Sequence, residues 1–508
     1  MTRGEEGLAG GSPVETAARE QDDIVALAKG GRTNVIGFLL RLAARVPFLF
    51  IAGRVYGADV MGRFAFAVLV VELASQAATM GLKRGLAGAM AQTKRPESHV
   101  LMDAMTLTLT ASLAIAAVLM LFPQVMFPNS GLNGFDRLLP LTILAVAGSE
   151  VALAACAWRY DIAASVRARA IIEPWTISIG AFAFSFYSLR DGLILSYVVS
   201  MLAAGVAAFW PLARHYDWVP GWSPCPRRIW AMARRNAPLA MADAVELGSR
   251  RLDLFILGFF ATPALVGIYY AAQQFASLPQ KLKTSFEPIL GPVITRNLRE
   301  GNLAAIARQV SQVGFWIIAA QAGIALALAI PGEAVMGLVG PNFVAGTGAL
   351  AFLLLAEVCA ATAVVSESAL VYMARHQNML ISLLMIVLQA VLSLLLILAT
   401  RAAGYPPSVV AATPALALAL ALAVSSLVKS LVLSRKLRHR ITTWRPALVA
   451  AASVAVIVGT GFVALPHRLE WMELVFGVPV TLAVYAAVIW RYGFGPEDRA
   501  LFKKAPVM

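Results

Sequence analysis

The sequence predicts an all-α polytopic membrane protein with about fourteen transmembrane helices. Three observations predict it. The chain has 508 residues, of which 59% are hydrophobic and only 14% charged, whereas a soluble chain carries roughly a quarter charged residues. Apolar runs of about twenty residues, the length a helix needs to cross the hydrocarbon core, recur along nearly the whole chain. Lys and Arg collect in alternate connections between those runs, as expected of a multi-spanning protein.

Residues 1–30 read as a cytoplasmic tail. They are polar, contain Glu5, Glu6, Asp22 and Asp23, and have no early apolar core of the kind a signal peptide needs. The first six runs fall near 33–53, 62–82, 101–122, 137–157, 168–188 and 192–213. The next six fall near 237–260, 265–287, 307–330, 349–371, 379–400 and 407–430, and the last two near 446–465 and 471–490. The expected organisation is therefore a first lobe over 31–213, a linker over 214–235 and a second lobe over 236–433. A basic loop over 434–445, a final helix pair over 446–490 and a C-terminal tail over 491–508 complete it. Within the linker, 227–235 is basic and amphipathic. It is expected either to lie along the lipid headgroups or to be a simple positive-inside loop.

Orientation follows from counting cations. With the N-terminus inside, 32 of the 42 Lys and Arg lie on the inner side and 6 on the outer side, and Arg41, Arg45, Arg250 and Arg251 lie within spans. Both termini are then cytoplasmic. The longest outer connections, about 123–136 and 331–348, leave no room for an extracytoplasmic catalytic domain. The net charge of +14 is spread over many short loops and forms no patch for nucleic acid. Cys156, Cys225 and Cys359 have no metal-like spacing and read as packing residues. No P-loop, HExxH or GxSxG sequence occurs, so neither a cofactor nor a metal is expected. His99, His215, His376, His439 and His467 lie in or near loops.

An internal repeat divides the spans. Over residues 45–73, a shift of 205 gives eight identities in 29 positions, among them Arg45 with Arg250, Gly53 with Gly258 and Gly62 with Gly267. The second copy starts six spans after the first. An even number gives both copies the same orientation, so they should be related by an axis along the membrane normal with a cavity between them. The last two spans lie outside the repeat.

A charged side chain at bilayer depth costs roughly 2.5–3.5 kcal/mol and so needs a wet cavity or a partner. Asn34, Arg41 and Arg45 fall on one stripe of the first span. Asp243, Glu246, Arg250 and Asp253, spaced 3, 4 and 3, fall on one stripe of the seventh. Arg41, Arg45 and Arg250, with Asn34, are candidates for an anionic substrate, because guanidinium stays charged and grips phosphate in a bidentate fork. The alternative for Arg250 is an ion pair with Asp243, Glu246 or Asp253. Those three acids, with Glu72, Glu150 and Glu357, are candidates for coupling to a proton or sodium ion, or for balancing the arginines. Glu173, four residues after Arg169, reads as a local pair.

Two stretches carry a family resemblance. The run Ile51-Ala52-Gly53-Arg54-Val55-Tyr56-Gly57, followed by Gly62 and Ala65, resembles the "LARxLGxxxxGxxA" stretch joining the first two spans of bacterial polysaccharide flippases. Arg251, Asp253, Leu257 and Gly258, followed by Val266, Gly267, Tyr269 and Ala272, resemble the "rxDxxxLGxxxxxxxvGxYxxA" stretch of spans seven and eight. The family is the O-antigen and exopolysaccharide flippase branch of the multidrug/oligosaccharidyl-lipid/polysaccharide (MOP) exporter superfamily. The resemblance implies a MATE-like fold of two six-helix lobes plus two extra C-terminal helices. It implies a flippase in the bacterial inner membrane that moves undecaprenyl-pyrophosphate-linked oligosaccharide by alternating access. Membrane lipids, a polysaccharide polymerase and chain-length proteins are the implied partners. The competing readings are an ion-coupled drug or metabolite antiporter, which expects carboxylates without arginines, and a membrane polymerase or ligase, which expects a long outer loop with Arg and His.

Overall fold

The computed structural model describes residues 46–217, 219–464, 470–495 and 498. Among these there is no strand. The longer helices are α1 (Gly57–Ala78), α2 (Leu82–Ala91), α3 (Glu97–Leu121), α4 (Thr142–Trp158) and α5 (Glu173–Ser185). They continue with α6 (Gly192–His215), α7 (Pro226–Phe260), α8 (Pro263–Arg299), α9 (Leu303–Ala329) and α10 (Thr347–Met373). The last are α11 (Arg375–Ala402), α12 (Pro407–Leu437), α13 (Pro446–Val463) and α14 (Val478–Val488). Every run expected from 62–82 onward is helical over most of its length. Ten helical stretches among the described residues are long and apolar enough to cross a membrane. The α5, α7 and α8 segments fall outside that set; the helix that runs into α5 carries Arg167, Arg169 and Glu173, and α7 carries five charges between Asp243 and Asp253. Most of the expected first span, with Asn34, Arg41 and Arg45, lies outside the described residues.

Two boundaries differ from the sequence reading. The apolar runs place a junction between two spans at 54–61, yet the chain is helical from Val46 through Ala78. A π-helical turn at Ala52–Tyr56 and a left-handed residue, Gly57 at φ 85°, bend the helix without ending it. A glycine reaches that conformation without a Cβ penalty. Second, the linker is shorter: residues 216, 217 and 219–225 are non-helical, and α7 begins at Pro226. Its apolar residues Ile229, Met232 and Ala233 pack on a core of Leu86, Met90, Val151 and Ala155.

Packing groups the chain into two compact units. Of the described residues, the first holds 46–51, Val71–Phe122 and Gly134–Ala244; the second holds Ala52–Val70, Pro123–Asn133 and those from Val245 onward. In the first unit, a turn at Met80 and Gly81, both left-handed, starts α2 directly against α7. A Cβ on Gly81 would lie 2.6 Å from the Ala240 nitrogen and 2.7 Å from the Asn236 carbonyl oxygen. The docked linker is held by Asp103, which accepts from Trp222 Nε1 at 2.9 Å and pairs with Arg95 at 2.8 Å.

In the second unit, α1 and α8 touch backbone to backbone. A Cβ on Gly62 would collide with the Pro263 carbonyl, and one on Gly267 with the Ala58 carbonyl. Phe66 stacks on Phe255 at 5.9 Å and meets Phe259 edge-on at 5.5 Å. By contrast, Leu380, Leu383, Leu384, Val387, Val391, Leu394 and Leu398 of α11 stand exposed, as side chains facing lipid must.

The final helix pair packs on α9. Gly323 of α9 abuts the Tyr485 ring, and Gly459 of α13 abuts Ile330 and Thr481. After α14 the chain is anchored by Asp498, which is 2% exposed. Its carboxylate accepts from Arg445 Nη1 at 2.6 Å, Trp316 Nε1 at 2.9 Å, Gln312 Nε2 at 3.2 Å and the Gly495 N–H at 2.9 Å. Burial alone would raise this carboxyl, but the donors outweigh it and hold it below the usual range. A depressed folded pKa contributes stability above the unfolded value of about 4, and that stability is lost as pH falls through the folded value. Asp498→Asn should lower the thermal stability of the detergent-solubilised protein by about 2 kcal/mol at pH 7. The gap to wild type should hold from pH 8 to pH 5 and close below about pH 4, as read by melting curves across pH.

Candidate functional site

Charged side chains on the helices sort into tied and accessible groups. In the first unit Glu150 of α4 is met twice, by Lys83 Nζ at 2.9 Å and by Arg169 Nη2 at 2.7 Å. Arg169 also pairs with Glu173 at 2.7 Å, the local pair the spacing predicts, and donates to Ser149 Oγ at 2.8 Å. Asp243 of α7 pairs with Arg84 at 3.0 Å, not with Arg250. Only Oδ1 is engaged; the buried Oδ2 has no hydrogen-bond donor. Sequence reasoning places Lys83 and Arg84 among inner-loop charges. The Gly81 turn instead aims them at carboxylates on α4 and α7, and no local spacing signals that reach.

In the second unit the other acids of the α7 stripe part company. Asp253 is fully buried and accepts from Tyr269 Oη at 2.6 Å and Gln273 Nε2 at 3.1 Å, while Gln273 Oε1 accepts from Arg251 at 2.6 Å. Glu246 pairs with Arg250 at 3.0 Å, and both side chains are nearly half exposed, at 46% and 48%. This is the ion pair the sequence offers as an alternative for Arg250. An exposed pair is worth about 0–1 kcal/mol. Glu72 and Glu357 are half-buried. A buried lysine missed by the sequence reading, Lys429 of α12, pairs with Glu367 of α10 at 2.8 Å and donates to Ser382 of α11 at 3.1 Å. Among the described residues, no group of three His, Cys, Asp or Glu side chains is placed to hold a metal.

The residues of the two family-like stretches are architectural. Arg54 donates from Nε to the Leu338 carbonyl at 3.0 Å, Gly57 makes the bend, and Ala65 is buried. Gly62 and Gly267 make the α1–α8 contact, Gly258 abuts Phe66, and Asp253 is bonded to Tyr269.

This fold defines a class: a multi-pass helical membrane protein with the architecture of MOP exporters. Lipid II flippase MurJ, in an inward closed conformation, superposes with a TM-score of 0.65 at 11% identity, over 91% of this chain and 99% of that one. An inward-facing MATE-family multidrug resistance transporter of the MOP superfamily gives 0.58 at 14% identity, over 79% and 98%. A MOP transporter from Pyrococcus furiosus gives 0.55 at 12% identity, over 81% and 95%. A family model described as polysaccharide biosynthesis protein matches residues 54–331. The chain belongs to that polysaccharide biosynthesis family. No curated protein matches it.

The two kinds of charge respond differently to mutation. Arg169→Ala leaves two carboxylates around a buried site and should cost about 3–5 kcal/mol. Arg250→Ala breaks an exposed pair and should cost under about 1 kcal/mol. Thermal unfolding of the purified variants in one detergent checks the contrast.

Proposed function

We propose that the chain is a flippase for an undecaprenyl-pyrophosphate-linked oligosaccharide, acting in the bacterial inner membrane with both termini cytoplasmic. The observation that carries this reading is Arg250, a permanently charged group on α7 whose ion pair is half exposed. Membership in a polysaccharide biosynthesis family supports a glycan cargo, and the MOP fold supports transport by alternating access. Arg250 meets the pyrophosphate or an acidic sugar, joined by Arg41, Arg45 and Asn34 of the first span. The lobes over 31–213 and 236–433 rock about the cavity, and the exported units pass to a polymerase and its chain-length partners.

Coupling to a proton or sodium ion falls to the acids Asp243, Glu246, Asp253, Glu72, Glu150 and Glu357. Glu150 and Asp253 are supported by several donors each. Asp243 keeps a buried oxygen without a donor, which favours it as the group that binds the coupling ion.

Arg41→Ala, Arg45→Ala and Arg250→Ala should each reduce surface polysaccharide by roughly tenfold or more while the protein stays in the membrane, since a hydrogen bond to a charged group is worth about 1.5–3 kcal/mol. Lipid-linked repeat units should accumulate on the cytoplasmic leaflet. Leaflet-specific lectin or periodate labelling measures them, and normal export by all three variants would sink the anion-cavity reading.

A further inference from the structure

Within the first unit, the opening turns of α7 sort their side chains onto two sides. Ile229, Met232 and Ala233 lie in the core, and Asn236, 3% exposed, packs against Gly85. Arg228 and Arg235, seven residues apart at the margin of this side, are tied down. Arg228 Nη2 donates to the Ser223 carbonyl at 2.6 Å and its Nε lies 3.8 Å from Asp103, while Arg235 donates to Gln92 Oε1.

The other side has no protein partner. Arg227, Trp230, Arg234, Pro238 and Met241 fall within about 80° of one another at helical spacing. All five are exposed, Trp230 to 71% and Met241 to 70%. The side chains of Arg227, Trp230 and Arg234 have no hydrogen bond, ion pair or ring contact with any of the described residues. Along the axis the order is cation, aromatic, cation, then apolar. From Arg227 to Met241 the helix rises about 21 Å, about half the thickness of a bilayer with its headgroups. Over that distance one leaflet passes from phosphate through the interface to acyl chain.

We propose that this face of α7 is a docking surface for anionic phospholipid of the inner leaflet. Arg227 and Arg234 grip headgroup phosphates, as guanidinium is shaped to do. Trp230 sits at the membrane boundary, where indole is favoured, and Met241 lies against the acyl chains. The charge count puts the Arg227 end inside, where anionic lipids attract Lys and Arg. The opposite, apolar face keeps these turns on the core of the first unit, so the bound lipid holds the inner end of that unit at a fixed depth.

The test follows the melting temperature of the full chain in a neutral detergent as phosphatidylglycerol or phosphatidylcholine is added in mixed micelles. A ligand of the folded state raises it. Phosphatidylglycerol should stabilise the wild type and phosphatidylcholine should not. Arg227→Gln/Arg234→Gln should start from the wild-type melting temperature and need roughly tenfold or more phosphatidylglycerol for the same rise, two cations near an anionic surface being lost. Arg438→Gln/Arg440→Gln removes two exposed cations from the loop after α12 and should respond as wild type. An unchanged response of the α7 variant overturns the proposal, as does equal stabilisation by phosphatidylcholine. A loss as large in the Arg438→Gln/Arg440→Gln variant overturns it as a general effect of charge. Equal stabilisation by glycerol phosphate alone overturns it in favour of a soluble anion. No cargo enters the measurement, so its outcome is independent of the Arg250→Ala export assay.

Discussion

Hydrocarbon supplies neither hydrogen-bond partners nor counter-charges, and the arrangement of this chain follows from that deficit. A backbone group left open at membrane depth costs several kcal/mol, so the bend before α1 is made inside a helix, as a π turn and one left-handed glycine, instead of as a loop. The end of α7 is finished by an asparagine amide brought from another loop. Charges obey the same rule. Glu150, Arg169, Asp253 and Lys429 each carry two or more polar contacts. What escapes the rule is informative. Arg250 sits half exposed with a half-exposed partner, an arrangement that packing alone has no reason to keep.

The spans are legible in the sequence because transfer energy summed over twenty residues is a large signal, and the charge alternation multiplies it. Their joints are less legible. A Gly-rich stretch after an apolar run reads as a turn, yet a helix can carry a glycine and rearrange its ladder to i→i+5. The start of α7 reads as interfacial because Ile229, Met232 and Ala233 make an apolar face; sequence gives the face but not what covers it, and here it is protein. The pairing of charges is the least legible. Lys83 and Arg84 count as inner-loop cations, but the direction of a long side chain depends on the turn before it. The acids of the α7 stripe look equivalent at helical spacing. They differ because Asp253 meets a tyrosine from α8, Asp243 an arginine from α2, and Glu246 its own helix neighbour.

The same geometry explains why the family is easy to recognise and its cargo is not. Arg54, Gly57, Gly62, Asp253, Gly258, Gly267 and Tyr269 hold helices against helices or finish helix ends. Such residues tolerate few replacements, whatever passes through the protein. The extra helix pair is held in the same way. Gly323 against Tyr485 and Gly459 against Ile330 fix it to α9 and its end, and Asp498, after α14, ties back to Trp316 and Gln312 of α9 and to Arg445. It thereby becomes part of the second unit's frame.

Gly62 and Gly267 are copies of one position that have come to rest on each other. In a half-length precursor, a residue so placed would sit on the symmetry axis of a homodimer, and any substitution there would enter the interface twice. Fusing the halves separates the genetic fates of the two copies but not their physical ones, because a side chain added to either glycine still meets the backbone of the other repeat. Divergence can then proceed almost everywhere else in the duplicated halves, while the axis itself keeps the memory of the single gene.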